Sequence, residues 1–226
     1  MPDTLVIMAK KPQPGAVKTR LARRLGDEAT GELYRAFLRD LHQRFAAAPW
    51  RLLWAVHPPG SDLAADLEAE VECIDQRGAT LAERMWNLFA DLFGVALAEA
   101  GRVVMIGADV PHLEVEEVAA AFSALERSDV VLKPTRDGGY CLIGLRRAVD
   151  LFTGIPMSTA EVFRRTLERA RSLGLQVEVQ PEGFDIDELA DLHDLAEVIR
   201  RGAVQLPFTA AVLGRVLPRL PAGSEL

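Results

Sequence analysis

The chain has 226 residues, 49% of them hydrophobic, with a formal net charge of −7. That composition suits one large α/β domain and excludes a disordered protein. The acidic balance argues against wrapping a nucleic acid, and no apolar run approaches the ~18 residues that a membrane span needs.

TLVIMA at 4–9 starts almost at Met1, with no basic segment, long apolar stretch and cleavage site before it, so no secretory signal is expected. The segment reads as a buried strand. The stretch from 10 to 24, KKPQPGAVKTRLARR, holds six cations and no acid, and removing them would take the net charge from −7 to −13. Pro12, Pro14 and Gly15 shape it as a loop, and Lys10, Lys11, Lys18 and Arg20 supply ammonium and guanidinium groups. A loop of this kind suits a di- or triphosphate, although a solvated basic loop would look the same. It is not a Walker A loop, because Ala16 and Val17 separate Gly15 from Lys18.

Leu33, Phe37, Leu41 and Phe45 recur every fourth residue and predict a helix over 27–47. RLLWAVH at 51–57 reads as a strand, 61–69 as a short helix, VECID at 71–75 as a strand, and 80–100 as a long amphipathic helix ending before Gly101. RVVMIGAD at 102–109 is the clearest buried strand. It delivers Asp109 to its carboxyl end, where the residue is either a turn aspartate or a ligand for Mg²⁺.

A helix is predicted over 114–127, then strands at 129–135 and 140–145 around Asp137, Gly138 and Gly139. That tripeptide is a hairpin signal first and a ligand-binding turn second. A helix over 159–173 follows, with Ser158 and Glu161 in the spacing of a capping box. LQVEV at 175–179 reads as the last strand, and a final helix as running from near Asp187 to about Arg201. Asp185 and Asp187 precede that helix on one side of an extended segment, as caps, cation ligands or both. Arg84 is a further candidate for substrate contact.

The alternation of strands and helices predicts a mainly parallel sheet covered on both faces, as one domain over 1–202 with an apolar, proline-containing tail over 203–226 that packs on the body or frays. Ligands of such sheets sit outside the carboxyl ends of the strands. The four histidines have no metal spacing, and no Ser-His-Asp or Cys-His arrangement is legible. Cys73 and Cys141 read as ordinary reduced thiols of a cytoplasmic protein.

Taken in order, MAKKPQPGAVKTRL, GADVPHL, PTRDGGYCLIGL, the MST segment at 157–159 and FDIDELADL resemble the rSAM/selenodomain-associated transferases, also described as arsenosugar-biosynthesis-type glycosyltransferases. The resemblance runs over roughly residues 4–195. That family falls in the GT-A-like nucleotide-diphospho-sugar transferase superfamily and is similar to the molybdenum-cofactor and phospholactate guanylyltransferases. The resemblance implies a Rossmann-like three-layer α/β sandwich with a nucleotide and a divalent metal, Mg²⁺ or Mn²⁺, at its carboxyl edge.

It maps phosphate binding onto Lys10, Lys18 and Arg20 in the loop shaped by Gly15. It maps a metal ligand onto Asp109, a second onto Asp185 or Asp187, and the family's DGGY motif onto Asp137, Gly138 and Gly139. Val110 and Met157 depart from the family pattern, which has Cys or Thr and Trp there. Catalytic roles fall on Lys18 and Asp109. Three functions are then open: transfer of a nucleotidyl group from a nucleoside triphosphate to a small acceptor, phosphorylated or not; transfer of a sugar from a nucleotide-sugar; or nucleotide binding without catalysis. The first is favoured by a single aspartate in a DxP context and by the lack of a DxD triplet after a central strand.

Overall fold

The computed structural model describes residues 2–94 and 101–219. Strand β1 (Thr4–Lys10) leads through helix α1 (Thr19–Leu25) into α2 (Asp27–Phe45) and β2 (Arg51–His57). Then come α3 (Ala64–Leu67), β3 (Cys73–Asp75), α4 (Leu81–Phe93), β4 (Val103–Gly107) and α5 (Val115–Ala124). The hairpin β5 (Val130–Pro134) and β6 (Tyr140–Leu145) precedes α6 (Val162–Ser172), β7 (Val177–Val179), α7 (Leu189–Arg200) and α8 (Pro207–Val216).

The seven strands lie in the order β3-β2-β1-β4-β6-β5-β7. All neighbours pair in parallel except β6, which runs antiparallel to both β4 and β5. Strand side chains alternate between the two faces. Leu5, Ile7 and Ala9 of β1 therefore enter the core under α2, α5, α7 and α8. Val6 and Met8 enter the second core, under α4 and α6. Burial on both faces is why β1, β2 and β4 read as unbroken apolar runs. The result is the expected GT-A-like three-layer sandwich with a mainly parallel sheet.

Two helices escaped the sequence reading. The second half of the basic stretch is α1, in which only Leu21 is buried, so seven residues show no apolar period. The tail holds α8, packed against α2, with Pro207 in its first turn, where a proline lacks no needed hydrogen bond. Buried Asp40 of α2 accepts hydrogen bonds from the amides of Phe208 (3.1 Å) and Thr209 (2.8 Å) and so caps α8 from a distant part of the chain.

Two capping expectations need correction. Ser158 and Glu161 form no capping box: Glu161 itself is the N-cap of α6, and Ser158 adopts φ 63°. Helix α7 is capped by Glu188 with Asp191, so neither Asp185 nor Asp187 is used there. Helix α4 starts as expected, with Thr80 and Glu83 in a reciprocal capping box. The predicted continuation over 95–100 lies outside the described residues.

Cys73 and Cys141 are both free thiols. No helix among the described residues is long and apolar enough to cross a membrane.

Asp40→Ala removes both amide acceptors of α8 and is expected to cost about 1–2 kcal/mol, read from urea unfolding. Asp40→Asn, which keeps one acceptor oxygen, should cost less.

Candidate functional site

The carboxyl ends of β1 and β4 and the amino end of antiparallel β6 open onto a cavity of about 700 Å³. Lys10, Lys18, Arg20, Asp109, Asp137, Gly139, Asp185 and Asp187 all line it, although they come from four separate stretches of chain.

Lys18 is the centre of this arrangement. It is the N-cap residue of α1 and sits in the left-handed conformation, φ 45° and ψ 49°, which turns the chain from the loop into the helix. Its side chain is only 10% exposed. The ammonium donates to Asp109 Oδ2 at 3.2 Å and lies 3.6 Å from Asp187 Oδ1. Arg20, in the first turn of α1, donates to Asp187 Oδ2 at 2.9 Å and lies 3.5 Å from Glu188 Oε1. A basic segment from the start of the chain thus meets carboxylates from β4 and from the segment before α7.

Asp109 folds back over Gly107. A Cβ on that glycine would come within 2.2 Å of Asp109 Oδ1, so the absence of a side chain is what lets the carboxylate lie there. The segment carrying Asp185 and Asp187 is held from several directions. The Ile186 amide donates to the Asp109 carbonyl (2.9 Å), and the Gly183 amide to that of Pro134 (2.9 Å). Phe184 stacks on His112 with 4.1 Å between ring centroids, and the Arg136 guanidinium lies 5.0 Å from the centroid of the Phe184 ring. Behind it, buried Lys133 donates to the Pro181 carbonyl (2.8 Å) and pairs with Glu117 (2.9 Å).

Burial pushes the Asp185 carboxyl up to about 6, and the negative charges of Asp109 and Asp137 push in the same direction, against Lys18. Among the described residues no three Asp, Glu, His or Cys side chains enclose a point that could hold a metal ion by themselves. The acids form a negative rim, with the Lys18 ammonium between Asp109 and Asp187.

The DGGY turn is first of all structural. Asp137 accepts from the Thr135 hydroxyl (2.5 Å) and the Gly139 amide (3.0 Å). Gly138 adopts φ 87°, and a Cβ there would meet the Ala160 carbonyl oxygen at 2.1 Å. The Gly138 carbonyl accepts from the Phe163 amide, so the turn clamps the loop before α6 against the sheet. Asp137 and Gly139 face the cavity, whereas Gly138 is not part of its lining.

Two loop residues lie elsewhere than expected. Gly15, at φ 75°, turns the chain near Asp27 and does not line the cavity. Lys11 points the other way, to the Asp62 carbonyl and the Asp66 carboxylate. Arg84 does line the cavity, with its guanidinium donating to the carbonyls of Gly78 and Ala79.

Sequence reasoning missed Tyr34 and Gln76. The Tyr34 hydroxyl accepts from the Lys10 amide (3.0 Å), and Gln76 Nε2 donates to the carbonyls of Ala9 and Ala55. Tyr34 ties α2 to the end of β1, and Gln76 ties β1 and β2 together beneath the cavity. The helical period of α2 marks Tyr34 as core, and nothing local marks Gln76. Cys141 also lines the cavity, but burial pushes its thiol up to about 12, which unsuits it to act as a nucleophile.

Gly138→Ala is expected to cost about 1–3 kcal/mol, seen as a lower melting temperature, because both the backbone conformation and the Ala160 contact oppose a side chain. The raised Asp185 carboxyl implies a pH effect with a definite sign. Between about pH 4 and 6 the folded chain binds more protons than the unfolded chain, so stability falls as pH rises through that window. Urea midpoints of the metal-free protein should show this fall, and Asp185→Asn should lessen it.

The fold and the site can be set beside known proteins. The model of the family described as uncharacterized protein conserved in bacteria (DUF2064) matches residues 40–159. A 3-phospho-D-glycerate guanylyltransferase of Phenylobacterium zucineum is 31% identical over 188 residues, covering 79% of this chain and 84% of that one. A 2-phospho-L-lactate guanylyltransferase of Methanopyrus kandleri is 35% identical over 112 residues, 47% of this chain, and the match spans only 56% of that enzyme's length. A crystal structure from Desulfovibrio desulfuricans G20, described as a nucleotide-diphospho-sugar transferase, superposes with a TM-score of 0.82 at 32% identity over 94% of both chains. The GT-A-like sandwich is shared with further solved structures at TM-scores of 0.52 and 0.56. With guanylyltransferases among its relatives, the chain belongs to the family described as uncharacterized protein conserved in bacteria (DUF2064).

Proposed function

We propose that this protein is a Mg²⁺- or Mn²⁺-dependent nucleotidyltransferase that moves a nucleoside monophosphate from a nucleoside triphosphate to a small acceptor and releases pyrophosphate. One observation carries the reading: Lys18 and Arg20 meet Asp109 and Asp187 at the mouth of a single cavity. The guanylyltransferase relatives support it, since each is named for nucleotidyl transfer to a small phosphorylated acid.

The residues present fit a divalent cation of this type. Mg²⁺ takes oxygen ligands, keeps several waters and commonly uses one or two carboxylates together with phosphate oxygens. Asp109, with Asp185 or Asp187, offers that set, and the repulsion from Asp109 and Asp137 that adds to burial in raising Asp185 marks a place where positive charge is favourable. A cation bound there supplies charge neutralisation at the reacting phosphate.

Lys18, held in a low-exposure site, provides a fixed positive charge for the diphosphate portion of the donor, and Arg20 and Lys10 extend that charge outward. The acceptor oxygen forms the new bond to the α-phosphorus, and the bond from that phosphorus to the bridging oxygen breaks. The electron pair leaves on pyrophosphate, and any proton on the acceptor oxygen passes to solvent. The protein's contribution is positioning and electrostatics, with no covalent enzyme intermediate.

Glycosyl transfer is the second reading. The name of the Desulfovibrio desulfuricans relative favours it, as does the resemblance to arsenosugar-type glycosyltransferases. There the same cations would hold a departing nucleoside diphosphate.

Incubation with Mg²⁺, nucleoside triphosphates, nucleotide-sugars and a cell extract as acceptor source, followed by phosphorus NMR, separates the two. Pyrophosphate release supports nucleotidyl transfer, and nucleoside diphosphate release from a sugar nucleotide supports glycosyl transfer. Asp109→Asn should keep its melting temperature within a few degrees and lose at least ~100-fold in turnover, about 2.7 kcal/mol of transition-state stabilisation. Lys18→Asn, whose side chain tolerates the left-handed backbone, should weaken nucleotide binding about tenfold. Wild-type activity in Asp109→Asn would remove Asp109 from the site.

A further inference from the structure

We infer that the acceptor is an uncharged hydroxyl compound carrying an apolar or aromatic group, and not a small phosphorylated acid. The inference rests on the donor side assigned above, because it concerns the part of the cavity lining that the donor reading leaves unused.

The two walls differ in character. Lys10, Lys18, Arg20, Asp109, Asp185 and Asp187 gather along the β1 and β4 ends and the segment before α7. A second part of the lining is built from β6 and the loop before α6. Among the described cavity-lining residues from 135 to 162 there is no Lys, Arg or His. The one charge on that wall is the Asp137 carboxylate, already engaged by Thr135 and Gly139. Arg84, on the α4 side, is held by its own helix start, donating to Gly78 and Ala79.

This wall and the adjoining floor present apolar surface instead. Tyr140, Met157 and Met8 are half-buried in the lining, and Leu81 of α4 lines the cavity at 40% exposure. Met85 and Met105 also line the cavity, so every methionine after Met1 contributes to it. Methionine side chains are unbranched and polarizable, and they mould to irregular apolar or aromatic shapes. Exposed Ser158 and Thr159 at the rim add hydroxyls that suit an uncharged partner.

A phosphorylated carboxylic acid placed on this part of the lining would bring its charges to Asp137 and a set of methyl, thioether and aromatic-ring groups. Desolvating those charges without a partner is unfavourable. An uncharged acceptor with an apolar group would remove Met8, Leu81, Tyr140 and Met157 from water and gain in proportion to the area covered.

The test uses the full chain with Mg²⁺, alone and loaded with GDP or UDP. Binding of three probes is measured by ligand-observed NMR titration: phenyl β-D-glucopyranoside, 3-phosphoglycerate and glycerol. Phenyl glucoside should bind at least tenfold tighter than either of the others. Met157→Arg should move the ratio toward 3-phosphoglycerate by at least tenfold, while Met157→Leu keeps the wild-type order. The inference is overturned if 3-phosphoglycerate binds the wild-type chain as tightly as phenyl glucoside, or if phenyl glucoside binds no better than glycerol. Because the ranking is also read on the nucleotide-free protein, failure of GDP and UDP to bind would count against the donor reading and leave this result standing.

Discussion

An ammonium group with a tenth of its side chain exposed needs counter-charge, and Lys18 finds it in Asp109 and Asp187. This contact joins the first loop of the chain to the end of the central strand and to the approach to α7. Removing the lysine would leave the two carboxylates close together without their cation, and removing either acid would leave a largely buried cation short of a partner. The same arrangement makes the site responsive. In the proposed reaction, the Lys18 ammonium would exchange its carboxylates for the phosphate oxygens of an entering diphosphate, because both kinds of partner are oxygen anions.

Such a cluster works only if its members are held in place against their own repulsion. Asp109 lies over Gly107 because no side chain stands there. The 183–187 segment is tied to β5 through Gly183, to the 109 loop through Ile186, and to the stack of His112, Phe184 and Arg136. Lys133 and Glu117 form a second, deeper ion pair behind that segment. Burial holds His112 well below its usual range, near 4, so its ring stays neutral and apolar enough to stack. The acidic rim therefore rests on a support of aromatic and buried ionic contacts that shows no helical or strand period.

The cavity combines this charged side with an apolar one. With the proposed divalent cation bound, the charged groups at the β1 and β4 ends would suit a polyanion, and the surface of Met8, Leu81, Tyr140 and Met157 favours a body without charge. A transferase must hold two unlike molecules at once, and two unlike walls are the simplest physical means of keeping each in its own half.

Much of this was legible in the sequence. The apolar runs of β1, β2 and β4 announce strands buried on both faces, the fourfold spacing of Leu33, Phe37, Leu41 and Phe45 announces α2, and Asp109 sits at the end of a strand where ligands gather. These are local patterns, set by the 2.0 and 3.6 residue periods of the backbone, and a window of ten residues contains them. Helices α1 and α8 were not legible, since one is too short and too charged to show a period and the other is capped by Asp40 from α2. Nor was it legible that Lys18 would reach Asp109, 91 residues away, that Arg20 would reach Asp187, 167 residues away, or that Gln76 and Tyr34 would brace the floor. The order of residues determined which groups are delivered to the carboxyl edge of the sheet. Only the packed layers decided which of them touch, because contacts across such separations depend on how strands and helices are ordered in space.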